Sequence, residues 1–228
     1  MAGEGGIFDI IGPVMVGPSS SHTAGAVRLG SMARNIFGMK PENVEIFLHG
    51  SFASTGVGHG TDRALAAGLL GWRPDDVRLV RSLETAKEMG VNIIFKSTDL
   101  GDAHPNTVLL YLKKDERYLE IQGSSIGGGK ILITRINEFN VELSGAYATL
   151  VISHQDRPGA VATVTKILGG HNVNISSMRV SRESRGAKAM MLIEMDELPS
   201  YNVVDEIRSN QVVEDALLLQ PLTSMGDE

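Results

Sequence analysis

Apolar positions along this chain switch between two periods, and each switch marks an element. From Ala24 to Phe37, the side chains Val27, Met32, Ala33, Ile36 and Phe37 recur roughly at helical spacing, which predicts an amphipathic helix with Gly38 as its C-cap. Val44, Ile46 and Leu48 then alternate with Glu45 and Phe47, which predicts a largely buried strand over Val44–Leu48 that ends at His49-Gly50. Closely spaced glycines predict a loop over Gly56–Gly60, followed by a short helix over Asp62–Leu70. Pro74-Asp75-Asp76 interrupts the chain, and Ser82–Met89 with Gly90 behind it predicts a further helix with its C-cap.

Strand patterns dominate next. Val91–Lys96, Thr107–Leu112, Arg117–Gln122 and Lys130–Asn137 are rich in β-branched and alternating apolar residues, with Lys113–Glu116 as a hairpin turn. The segment Gly123–Lys130 reads as a loop, either a flexible turn or a backbone nest for an anion. Between Asn140 and Ala146 the pattern fades, which predicts a linker. Beyond it come a strand over Thr149–Ser153, a helix over Gly159–Leu168, strands over Asn172–Glu183 and Ala187–Met195, a helix over Ser200–Ser209 and a strand over Val212–Leu219. That order is βαββαβ, the ferredoxin-like arrangement. The expected class is α+β throughout, with a mixed α+β domain over residues 1–140 and a ferredoxin-like domain over 148–222.

Composition narrows the function classes. A length of 228 residues suits one or two domains at ~100–200 residues each. With 42% hydrophobic and 21% charged residues the chain has ordinary globular content, and a net charge of −6 gives no footprint for nucleic acid. No apolar run approaches the ~20 residues of a membrane span. Met1–Gly6 lacks the basic region of a signal peptide, so the expected location is cytoplasmic. Zero cysteines exclude disulfides and any cysteine-ligated zinc or iron–sulfur centre on this chain itself, and no metal site is expected on it.

Three of the six histidines fall in Gly/Ser-rich segments that lead toward helices. The segments are Gly17-Pro18-Ser19-Ser20-Ser21-His22-Thr23-Ala24-Gly25, then His49-Gly50-Ser51, then Thr55-Gly56-Val57-Gly58-His59-Gly60-Thr61-Asp62. A helix start presents unpaired N–H groups and the positive end of the macrodipole, so a carboxylate or phosphate is the expected guest. Glycine permits close backbone approach, and Ser19, Ser20, Ser21, Thr23 and Thr61 offer hydroxyls that either cap a helix or bind the ligand. Histidine adds a group that transfers protons near neutrality. None of the serines has the surroundings of a nucleophile.

These motifs carry a resemblance. The Gly17–Thr23 segment GPSSSHT, together with His49-Gly50-Ser51 and Thr55–Asp62, resembles the β chain of the iron–sulfur-dependent L-serine dehydratases, and His104-Pro105-Asn106 and Ser125–Gly129 look like further family segments. The C-terminal part resembles an ACT domain, with Asp156–Ala160 before its first helix and Asn172–Ile175 entering its second strand. The resemblance implies a heteromeric enzyme that converts L-serine to pyruvate and ammonia, with a [4Fe–4S] cluster on a cysteine-bearing α subunit and none on this chain. It also relates the first domain to an intervening domain of some phosphoglycerate dehydrogenases that binds small anions. A rival reading follows, a non-catalytic regulatory module that senses L-serine or another amino acid.

Under the resemblance, His59 is the candidate base, because Gly58 and Gly60 leave its ring little to pack against. The blander role is a ring that bonds a loop carbonyl. His22 either orients substrate and shares in proton transfer, or caps a helix. Ser19, Ser20, Ser21, Thr23, His49, Gly50, Ser51, Gly58, Gly60, Thr61 and Asp62 complete the candidate substrate site, with Asp62 either orienting His59 or simply favoured by the helix dipole. In the second domain Asp156, Gly159, Ala160, Asn174 and Ile175 are the candidate effector pocket, formed where two ACT copies meet; a homodimer through either domain is expected. His104 faces either a partner chain or solvent, His154 and His171 carry no chemistry, and Met190, Met191 and Met195 read as core.

Overall fold

Alternation decides the first sheet. Strand β1 (Asn43–Leu48) buries Val44, Ile46 and Leu48 and leaves Glu45 and Phe47 only partly covered. Its neighbours are β2 (Asn92–Ser97), which runs parallel to it, and β3 (Thr107–Lys114), which runs antiparallel. Two more antiparallel strands follow, β4 (Arg117–Gly127) and β5 (Lys130–Ile136), giving the order β2-β1-β3-β4-β5. The register aligns Phe95, Ile46, Leu110, Ile121 and Ile136 in one cross-strand row. Such a row is the unit by which a sheet buries one face. The protein is seen here in a computed structural model in which residues 14–222 are described. Met1–Gly6, where a basic leader was sought in the sequence, lies outside the described residues.

Helices α1 (Ala26–Phe37) and α3 (Thr61–Leu69) pack closely against each other. They meet through glycine. A Cβ on Gly30 would stand 2.3 Å from the Leu65 carbonyl oxygen, and one on Gly68 would stand 2.0 Å from the Val27 carbonyl oxygen. The crossing is therefore backbone on backbone, tighter than any alanine permits. Arg34 seals it by donating to the Leu69 carbonyl at 2.8 Å. Gly38 ends α1 with φ of 79°, a left-handed C-cap that its missing Cβ makes easy. The short helix α4 (Ser82–Glu88) then leads to β2.

Three expectations are corrected. The Gly56–Gly60 loop is instead the C-terminal part of a helix, α2 (Gly50–His59), with only Gly60 left outside it at φ of 71°. Glycines weaken a helix by about 1 kcal/mol each relative to alanine. Tertiary contacts override that here: Phe52 is fully buried, and the Ser51 N–H bonds the Pro105 carbonyl at 2.8 Å. Gly56 faces α3, where an added Cβ would lie 3.3 Å from the Thr61 Cβ. Second, the Gly123–Lys130 loop is mostly strand, because β4 runs on to Gly127 through two bulges and only Gly128-Gly129 turn. Third, the expected linker over Asn140–Ala146 begins as strand β6 (Phe139–Leu143), whose Phe139, Val141 and Leu143 are buried between exposed Asn140 and Glu142. Its alternation is short enough to pass for a fading pattern.

The chain divides between Asn137 and Glu138. In the second unit β7 (Ala148–Gln155), α5 (Ala160–Gly170), β8 (Ile175–Arg182), β9 (Lys188–Met195), α6 (Tyr201–Arg208) and β10 (Val213–Leu219) follow one another as βαββαβ. The sheet order is β10-β7-β9-β8, all antiparallel, which is the ferredoxin-like arrangement expected of an α+β protein. Leu150, Ile152, Met191, Ile193 and Met195 form its core with Val164, Leu168, Val203 and Ile207 from the two helices.

Placing a methyl at the crossing tests the packing. Gly68→Ala should destabilise the chain by about 1–3 kcal/mol, as overpacked sites do. A denaturant midpoint equal to wild type would contradict the close approach.

Candidate active site

The first histidine segment winds into a turn wider than an α-helix. Residues Ser21–Gly25 form a single π turn, in which the Gly25 N–H reaches the Ser20 carbonyl at 2.9 Å, before α1 takes over at Ala26. Such turns concentrate at functional sites. Ser19 caps it: its Oγ accepts the His22 N–H at 3.3 Å, while its carbonyl accepts the Thr23 N–H at 2.8 Å. The helix therefore starts earlier than the expected Ala24. Gly25 lets β4 close on the turn, since a Cβ there would lie 2.0 Å from Ser125 Oγ.

His22 is 9% exposed and sits edge-on to Phe52, with ring centroids 5.1 Å apart. Its Nδ1 meets Ser19 Oγ at 3.3 Å, and its Nε2 meets Thr55 Oγ1 at 3.0 Å and Ser51 Oγ at 3.3 Å. His59, the last residue of α2, stands with its ring centroid 4.9 Å from that of His22. The two imidazoles, 37 residues apart, are thus neighbours. His59 Nδ1 donates to the Thr55 carbonyl at 3.0 Å, and the ring is exposed. Because a carbonyl only accepts, the proton lies on Nδ1 and the lone pair of the neutral ring on Nε2. The orienting partner is thus Thr55 and not Asp62, which sits in the first turn of α3.

Electrostatics separates the two rings. Burial pushes the His22 pKa below its ordinary value, and the neighbouring His59 pushes it the same way, against a smaller opposing effect of a hydrogen bond with the Ser51 backbone. His22 is accordingly held toward its neutral form.

The remaining candidates divide by burial. Ser20 and Ser21 are half-buried at the mouth of the turn, and Thr23 is buried. Gly58 is exposed and Gly60 half-buried, with nothing within 4 Å of an added Cβ at either, so the chain around His59 is open. Gly50, at φ of 55°, lies where a Cβ would come within 2.6 Å of the Pro105 carbonyl oxygen. His49 supports the structure: its Nδ1 accepts the Leu100 N–H at 3.1 Å. Thr61 is fully buried, and its Oγ1 has no hydrogen-bond partner. The sequence motifs gave no role to Phe52, which lies between two histidine segments, or to Thr55, which opens the second of them. Exposed His104 accepts the Asn106 N–H at 3.1 Å.

The effector candidates lie in the second unit. Asp156 accepts from the Gly186 N–H at 3.0 Å and from Arg182 at 3.1 Å, and these bonds hold its carboxyl below the usual range. Asn174 donates to Asp196 at 2.6 Å, Gly159 precedes α5 at φ of 91°, Ala160 is buried and Ile175 opens β8. His154 is buried and its Nδ1 donates to the Gln155 carbonyl, while His171 pairs with Glu206. Met190, Met191 and Met195 are buried. Among the described residues no group of three or more histidine, aspartate or glutamate side chains is arranged to hold a metal.

Fold and site together define a histidine-bearing α+β domain joined to an ACT domain, and the family comparisons agree. Residues 6–92 match the serine dehydratase beta chain family and residues 148–211 the ACT domain family. A probable L-serine dehydratase beta chain of Bacillus subtilis is 43% identical over 88% of this chain and 91% of its own length. An L-serine dehydratase beta chain of Peptoniphilus asaccharolyticus is 43% identical over 83% of this chain and 86% of its own. A D-3-phosphoglycerate dehydrogenase of Methanocaldococcus jannaschii is 26% identical over 85% of this chain but only 37% of its own length. The chain belongs to the L-serine dehydratase beta-chain family.

The lowered His22 pKa has a consequence for stability. Between the folded pKa and the ordinary value of 6.5 the unfolded chain binds more protons at this residue, so stability rises with pH through that window, is lost as the pH falls through it, and changes no further with this group below the folded pKa. Urea midpoints measured between pH 5 and pH 7 should rise for wild type, and the rise should be smaller in His22→Gln.

Proposed function

We propose that this chain is the β subunit of an iron–sulfur-dependent L-serine dehydratase, which eliminates water from L-serine and releases pyruvate and ammonia. The observation that carries the reading is the pairing of the His22 and His59 rings at 4.9 Å, with the Ser19, Ser51 and Thr55 hydroxyls bonded to His22 and the Nδ1 of exposed His59 bonded to the Thr55 carbonyl. His59 Nε2 takes the α-proton. The hydroxyls of Ser20 and Ser21 hold the carboxylate at the start of the π turn, and His22, held toward its neutral form, orients the substrate without adding a competing charge. Loss of the β-hydroxyl as water leaves an enamine that hydrolyses to the keto acid and ammonia.

This chain does not fit an iron–sulfur cluster, since it has no cysteine. A [4Fe–4S] cluster would be held by a cysteine-bearing α subunit, where its chemistry is Lewis-acid assistance to departure of the hydroxyl. The same proposal includes a cytoplasmic location, a homodimer through either domain and an amino-acid effector on the second. With the side chains of Asp156 and Asn174 bonded within the chain, effector recognition there falls to backbone N–H groups near Gly159. The non-catalytic alternative is less well supported, because both relatives at 43% identity carry the dehydratase name.

Purified alone, the chain should not turn over L-serine. Mixed anaerobically with the cysteine-bearing chain it should form pyruvate, and His59→Ala should cut the reconstituted rate ~10²–10⁴-fold. A reconstituted His59→Ala enzyme of full rate would remove the base from the scheme.

A further inference from the structure

We infer that Thr55 is a positioning residue that fixes the tautomers of both site imidazoles, His22 through its hydroxyl and His59 through its carbonyl. The inference rests on the dehydratase reading for its kinetic consequence, but the tautomers themselves follow from the hydrogen bonds.

Thr55 Oγ1 donates its only proton to the Ser51 carbonyl at 2.8 Å, the back-bond a threonine makes one helical turn earlier. With that proton committed, Oγ1 presents only lone pairs to His22 Nε2 at 3.0 Å, so Nε2 must donate. His22 Nδ1 then carries the lone pair and accepts from Ser19 Oγ at 3.3 Å. The opposite tautomer would accept a proton from Ser51 Oγ at 3.3 Å. It would set the Nε2 lone pair against Thr55 Oγ1, or break the bond to the Ser51 carbonyl; either way one shorter bond would be lost for a longer one.

The same residue acts on His59 through its backbone. The Thr55 carbonyl accepts from Nδ1 at 3.0 Å, which leaves Nε2 as the basic nitrogen on the exposed side of the ring. One helical residue therefore assigns opposite tautomers to two rings 4.9 Å apart: Nε2–H on the buried ring and Nδ1–H on the exposed one. Threonine suits the task because its β-branch and back-bond restrict χ1 within the helix. Phe52, packed edge-on against His22, limits rotation of that ring.

The test is nitrogen NMR of the full chain labelled with ¹⁵N-histidine, where protonated and unprotonated ring nitrogens are distinguished directly. Expected in wild type are an unprotonated Nδ1 on His22 and an unprotonated Nε2 on His59. Thr55→Ser keeps both patterns. Thr55→Val, equal in shape, leaves His59 unchanged because its partner is backbone, and mixes the two tautomers of His22. An Nδ1–H form of His22 in wild type, or a His22 pattern unaltered in Thr55→Val, overturns the inference. In the reconstituted enzyme kcat/KM should fall about 10- to 100-fold in Thr55→Val, the scale of a small misplacement, and return in Thr55→Ser. A normal rate in Thr55→Val alongside mixed tautomers overturns the kinetic part. Failure of wild type to turn over serine strikes the dehydratase reading, while the NMR result stands by itself.

Discussion

Two missing methyl groups govern the first unit. Gly30 and Gly68 let α1 and α3 touch backbone to backbone, and each of those helices follows directly on a segment that carries a site histidine. His22 stands in the π turn that runs into α1, and His59 ends the helix that precedes α3. Interiors packed like organic crystals deform little, so locking the two helices at their crossing also limits how far the two imidazoles can separate. Glycine is used again for this purpose at Gly25 against Ser125 and at Gly50 against Pro105. In each case the residue is there for what it leaves out.

Within that frame the two histidines are unequal. His22 is buried, bonded at both ring nitrogens and held toward its neutral form. His59 is exposed, bonded at one nitrogen and flanked by glycines with open space around them. A proton acceptor needs an accessible lone pair, whereas a group that orients an anion's neighbour needs a fixed position more than it needs basicity. Under the proposed function, that difference in burial suits His59 to accept a proton and His22 to orient the substrate. On the same proposal acid–base and anion-holding groups would reside on this chain, and, since it has no cysteine, cluster chemistry would fall to a partner.

Periodicity made most of the fold legible. The ferredoxin-like order of the second unit could be read in advance because apolar residues there recur at strand or helix spacing, as in Leu150 and Ile152 of β7 or Val164 and Leu168 of α5. At α2 and at the end of β4, local composition rich in glycine and serine argued for loop, and at β6 the alternation is too short to stand out, while burial and pairing in the folded chain hold all three as regular structure. Propensity is a weak term, of the order of 1 kcal/mol per glycine, and Phe52 alone in a fully buried position outweighs it.

The sequence by itself determined which chemistry is present: imidazoles, hydroxyls and glycines in motifs that lead to helices, no thiol, and a second half patterned as a ferredoxin-like fold. Only the tertiary structure decided how each ring nitrogen is bonded, which ring is buried, and that Thr55 bonds to both rings. The reason is one of range. Element type follows from neighbours a few residues apart, but solvent exposure and hydrogen-bond direction at His22 depend on groups brought from 29 to 37 positions along the chain.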